Sequence, residues 1–161
     1  MTTKADFNAE EWSQVAEGPP LAGLIVITAQ RGGTLRESMQ MAKYWVSERE
    51  QHEGGELLDA LLAERPEVDP KQFQSAEALR SEGLEKVRAA VALVESKATP
   101  EEVEAYKRFT LGLAQRVAEA HKSGGVLGVG GEQVSAAESA ALSEIAETLG
   151  LEPPTTTQEA S

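Results

Sequence analysis

Cysteine is absent from this chain of 161 residues. That absence excludes disulfide cross-links, thiolate nucleophiles and cysteine-ligated metals. Basic residues are few: 15 Lys and Arg stand against 27 Asp and Glu, for a net charge of −12. Such self-repulsion keeps a chain dispersed and disfavours phosphate backbones and anionic lipid. Neither nucleic acid nor a membrane is therefore expected as a partner. Long apolar runs are missing as well. The longest, LAGLIVI over 21–27, falls far short of the ~20 residues that span a bilayer. The opening MTTKADFNAEEW has no apolar core of the signal type. We read the chain as soluble and cytoplasmic. Aromatics are scarce at 4%, while alanine, leucine and glutamate abound. These residues lose little on entering a helix.

The punctuation of the chain predicts about seven helices and no sheet. Asn8 and Glu11 have the spacing of a capping box, and Phe7 and Trp12 that of a hydrophobic staple. The first helix is expected to end near Gly18, with Pro19 and Pro20 opening a second over 20–30. That second segment is apolar on nearly every face, as a central buried helix is. A third runs from Thr34 to about Gln51, with Met39, Ala42 and Val46 as its apolar side and Trp45 beside them. ELLDALLAE makes a short fourth, and RPEVDPKQFQ a turn-rich connection. Leu84, Val87, Val91 and Val94 recur at helical spacing in a fifth, over 75–97. Thr99, Pro100 and Glu102 start a sixth, with Val103, Tyr106, Thr110, Leu113, Val117 and Ala120 on one stripe. Ser135 and Glu138 start the last, which Gly150 stops. Together, 1–150 reads as one all-α domain with 20–30 and 100–122 as its central pair, and 151–161 as a disordered polar tail.

Two segments share a plan. TAQRGGTLRESMQMA from residue 28 is a helix end, a Gly pair, a capping box and a helix. EAHKSGGVLGVGGEQVSAAESAALSEIA from residue 119 repeats it with a longer loop. Thr34 with Glu37 answers to Ser135 with Glu138. A pseudo-twofold pair of helical hairpins accounts for this, and so does the general chemistry of stopping and starting helices.

In the second segment GGEQVSAAESAALSEIAETLG, with Val134, Ser135 and Glu138, resembles the end of a TerB-like module of the bacterial tellurite-resistance family. The first hairpin offers Thr34 and Glu37 in the matching places. The likeness extends over about 20–150, although some twenty residues carry it. It implies an all-helical fold with two hairpins, in a bacterial protein that acts by binding. The family's loops carry an Asp-Gly pair associated with a divalent cation. Here Arg31-Gly32 and Lys122-Ser123-Gly124 stand in those places, and a cation in a ligand position argues against metal there. The chain also resembles bacterial proteins with a similar Gly-rich loop and Val-Ser helix start, a likeness that implies no activity.

The Gly-rich loop invites a phosphate. Gly125 and Gly130 are spaced like the outer glycines of a P-loop, but Gly131 and Glu132 follow where Lys and Ser or Thr belong. The loop also follows a helix, whereas a P-loop follows a strand. Gly124, Gly125, Gly128, Gly130 and Gly131 are read instead as a structural loop that permits φ > 0 where two helices cross. EREQHEGGELLD gathers Glu48, Glu50, His52, Glu53, Glu56 and Asp59, without a zinc or EF-hand ligand series. A solvated acidic face is the simpler reading, and a cation there would be a hard one held by oxygens. His121 belongs near a helix C-terminus, where the dipole favours imidazolium. Lys107, Arg108, Arg116 and Lys122 alternate with Glu104 and Glu119, the pattern of an ion-paired face.

No catalytic residue and no cofactor is assigned. The sequence supports a non-catalytic binding or stress-related module whose partner is another protein. The competing class is a metal-dependent or small-molecule enzyme with a carboxylate site formed between helices. Glu37 and Glu138 are its candidates for a divalent cation. Tyr44 and Trp45 are the candidate interface anchors, with core burial as the alternative. Trp12 is assigned to the core.

Overall fold

Pro19 and Pro20 do not open a helix. They sit inside α1, a continuous helix over Ala9–Ala29. A proline in a helix interior removes one ladder bond and costs about 3 kcal/mol, so something must take the orphaned carbonyl. The amide missing at Pro19 would have served Val15 O. The buried Tyr106 hydroxyl donates to that oxygen at 2.7 Å instead. Gly18 makes the space, since a Cβ there would overlap Tyr106 Oη. Tyr106 thus replaces, from another helix, one of the two ladder bonds that Pro19 and Pro20 remove, and among the described residues six helices stand where seven were expected.

A computed structural model describes residues 2–29, 35–51, 55–66, 68–123 and 136–152. The other helices are α2 (Leu35–Gln51), α3 (Gly55–Leu62), α4 (Ala76–Lys97), α5 (Pro100–Ser123) and α6 (Ala136–Leu149). Single 3-10 turns lie at Lys4–Asp6 and Pro70–Gln72, and no strand occurs among the described residues.

Many of the helix signals act as written. Asn8 N donates to Glu11 Oε2 at 2.9 Å and Glu11 N to Asn8 Oδ1 at 2.8 Å. The Phe7 and Trp12 rings sit 5.7 Å apart. Ser75 Oγ caps α4 through Ala78 N. Gly150, at φ +75, donates to Glu147 O, while Leu151 N donates to Ala146 O. These two bonds are a Schellman stop. Leu151 packs against the core, one residue beyond the expected boundary at 150.

Buried side chains from all six helices join one hydrophobic cluster. α1 lies at its centre, packed most extensively on α4 and then on α5. The expected central pair is therefore present, with α4 as a third member. α2 packs mainly on α5, not on α1, which precedes it in the chain. The glycine turns of both hairpins, and with them Thr34 and Ser135, lie outside the described residues.

The buried side of α2 differs from the expected one. Met41 and Trp45 face inward with Tyr44 partly buried, whereas Ala42 and Val46 face outward and the Met39 side chain lies outside the described residues. Both stripes obey the helical period. Aromatic rings bury 150–250 Å² each, so the stripe carrying Tyr44 and Trp45 wins, and Val46 is left 51% exposed.

Candidate interaction face

Three groups hold the short helix α3. An isolated helix of its length is unstable in water, so its ends must be satisfied from outside. Glu102, in the first turn of α5, is buried. Its carboxylate accepts from Thr99 N at 3.2 Å, from Thr2 N at 3.1 Å and from Leu57 N at 3.4 Å. The capping box expected at Thr99 thus also caps α3 and pins the N-terminal segment. Burial pushes the Glu102 carboxyl upward, but the hydrogen bonds from Thr2, Thr99 and Leu57 outweigh it and hold the group below its usual range.

At the other end of α3, Arg49 Nε donates to Leu62 O at 2.6 Å and Trp45 Nε1 to Glu64 O at 2.8 Å. A cation at a helix C-terminus also suits the helix dipole. The Glu64 carboxylate accepts from Trp12 Nε1 and pairs with Lys4 at 3.2 Å. Both tryptophans are core. Trp45, proposed as an exposed anchor, is 1% exposed and spends its indole N–H inside the chain. That corrects the expectation for Trp45. Glu64 and Arg49 carried no sequence signal of these roles, because the contacts join residues that no local spacing relates.

Tyr44 is different. It lies on the seam between α2 and α5, partly buried, stacked on Phe109 with centroids 5.7 Å apart and planes 13° apart. Trp45 meets the same Phe109 ring edge-on at 5.2 Å. The exposed Arg116 guanidinium lies over the Tyr44 ring, 5.5 Å from its centroid, a cation–π contact. Gly112 lets the Tyr44 hydroxyl approach α5, since a Cβ there would lie 2.6 Å from it. Burial, then the nearby Glu48 charge, push the Tyr44 phenol up to about 12, against the opposing pull of Arg116. A phenol so placed stays protonated at neutral pH and does not serve as a base. Tyr44 and Arg116 therefore mark the seam of α2 and α5 as an aromatic patch edged by charge, while Val46, two residues on from Tyr44, lies on the other side of α2.

The remaining candidates do not converge. Glu56, Asp59 and Glu50 are exposed, and Glu48 is intermediate. Among the described residues, no three His, Asp or Glu side chains gather closely enough to hold an ion. Glu138 is 1% exposed in the first turn of α6, and it is not without a partner. The Glu37, His52, Glu53 and His121 side chains lie outside the described residues, as do the loop glycines Gly124, Gly125, Gly128, Gly130 and Gly131. On α5 the Lys122 side chain lies outside the described residues, and the other basic residues are occupied. Arg108 pairs with Glu104 at 3.1 Å and Lys107 with Glu95 at 3.1 Å, while Arg116 covers Tyr44. No described helix is long and apolar enough to cross a membrane.

The chain matches no family model, no curated protein and no solved structure. Fold and geometry therefore carry the functional reading without help from a relative.

Proposed function

We propose that this chain is a non-catalytic helical binding module of the bacterial cytoplasm, of the TerB-like, stress-related kind, and that it contacts another protein through the outer surface of α2 and α5. One observation carries the reading. The buried polar side chains whose bonds are resolved are spent on the backbone: Glu102 on three amides, Tyr106 on Val15 O, and Thr110 on Tyr106 O at 2.8 Å. A group that satisfies a buried backbone atom is poorly placed to shuttle protons as well. Tyr44 and Arg116, by contrast, meet solvent.

The enzyme alternative draws its support from Glu138, a carboxylate buried in the first turn of a helix. A thermal-shift screen of the full chain against divalent cations and nucleotides separates the two. The binding-module reading expects no specific shift. A ligand present at a hundred times its Kd adds about 2.7 kcal/mol, a rise of roughly 5–10 °C for a domain of this size. Such a rise, lost in Glu138→Gln, would replace this reading with the carboxylate-site enzyme.

A further inference from the structure

We propose that the exposed face of α2 pairs with the same face of a second copy, antiparallel, about a twofold axis at Val46. The inference rests on the binding-module reading and names a partner for the side of α2 that faces away from the Tyr44–Arg116 seam. It begins with the two-sided pattern of the helix. Met41, Tyr44 and Trp45 meet the core, while Ala42 and Val46 form a second apolar strip that no described element covers. A lone exposed valine needs no explanation. The charges around this one do.

Lys43 stands three residues before Val46 and Glu50 four after it, and both are exposed. At about 100° and 1.5 Å per residue, Lys43 lies some 60° and Glu50 some 40° to the same side of Val46, about 4.5 Å and 6 Å away along the axis in opposite directions. A twofold axis at Val46 keeps that side on the same side in both copies and reverses the direction. Each Lys43 then falls within about 1.5 Å along the axis of the other copy's Glu50. Two Lys–Glu pairs close around a Val46–Val46 contact. A parallel arrangement would move that side to the opposite flank of the second copy and set Lys43 beside Ala42 instead of Glu50.

The rest of the helix fits this register. Among the described residues, Lys43 and Glu50 close no ion pair within the chain. Arg49, which would crowd the opposite flank, is turned away by its bond to Leu62 O at 2.6 Å. Opposite Arg49 the partner presents Ala42, which raises no charge conflict.

One helix face is a small interface, at the low end of specific association, so the dimer is weak and populated at concentrations on the order of several hundred micromolar. Sedimentation equilibrium on the full chain reads it directly. The expected result is a weight-average mass that climbs toward the dimer over that range. Val46→Glu removes the rise and leaves the melting temperature unchanged, because the side chain supports nothing in the core. Lys43→Glu and Glu50→Lys each weaken association roughly tenfold by setting like charges opposite one another, and the double charge swap restores it. A chain that stays monomeric at millimolar concentration overturns the pairing. So does a dimer indifferent to Val46→Glu, or a double swap that fails to restore what the single changes lost. None of these outcomes touches the binding-module reading, which falls only to a specific ligand in the thermal screen.

Discussion

Remove one oxygen atom, by Tyr106→Phe, and the repaired break in α1 is exposed. The Tyr106 ring stays buried against the helices. What disappears is the 2.7 Å bond to Val15 O, a carbonyl that Pro19 leaves without its ladder donor. A buried acceptor stripped of its partner costs about 1–3 kcal/mol. At roughly 2–4 °C per kcal/mol for a domain of this size, we expect a loss of about 2–12 °C in melting temperature. Loss of stability alone would follow from any core change, so the reasoning needs a cycle. Pro19→Ala returns an N–H that can donate to Val15 O. In that background the tyrosine hydroxyl is no longer required, and Tyr106→Phe should cost about 1 kcal/mol less than in the native chain. Urea denaturation of the four proteins measures the coupling. Additivity within about 0.3 kcal/mol would refute the claim that a tyrosine from α5 substitutes for the bond lost at Pro19. Gly18→Ala supplies a second arm. Its Cβ overlaps the hydroxyl, so it should destabilise by about 1–3 kcal/mol, with part of that loss recovered when Tyr106→Phe is added.

Two further predictions concern protons. The Glu102 carboxyl is held below its usual value of 4.5. Its contribution to stability is therefore complete above that value and is lost as pH falls through the lower, folded one. Glu102→Gln should cost about 1–3 kcal/mol at pH 7. In urea titrations the gap between the two proteins should close in acid, and a gap that persists unchanged at low pH would count against the charged carboxylate as the clamp. The tyrosines shift the other way. Burial raises both, Tyr44 to about 12 and Tyr106 further. The stability tied to Tyr44 is complete below the ordinary 10 and fades as pH climbs toward 12. Two units correspond to about 2.7 kcal/mol, reduced to about 1–2 for a ring that is partly in water. Ultraviolet titration should show almost no tyrosinate in the folded chain at pH 10.5 and substantial ionisation in urea. A normal titration of either ring in the folded protein would contradict its placement.

How much of this was legible in the sequence divides along a physical line. Signals that act within one turn were readable: the Asn8 and Thr99 boxes, the Phe7–Trp12 staple, the Gly150 stop. Each depends on residues three to five apart, and the backbone geometry of a helix end is the same everywhere. The Pro19 break was misread because the residue that repairs it lies 87 positions away, and a proline pair is a sound helix start when no remote hydroxyl supplies the missing bond. Glu102 was legible as a local cap and illegible as the clamp on α3 and Thr2, for the same reason.

The misreading of α2 has another cause, and it bears on function. Met39, Ala42 and Val46 on one side and Met41, Tyr44 and Trp45 on the other both repeat at helical spacing, so period alone cannot say which strip faces the core. Burial of the large rings decides it, and the core is served once Trp45 and Tyr44 meet Phe109. Nothing in that packing calls for Val46 outside, nor for a lysine and a glutamate at matched distances on its two sides. A surface under no constraint but solubility in an acidic chain would as readily carry another acid at position 43. The sequence pattern that seemed to predict a core face therefore retains its meaning once the face is known to be outside. It is apolar at its centre and self-complementary at its edges, which is the pattern of a helix with two contacts to make, one inside its own chain and one beyond it.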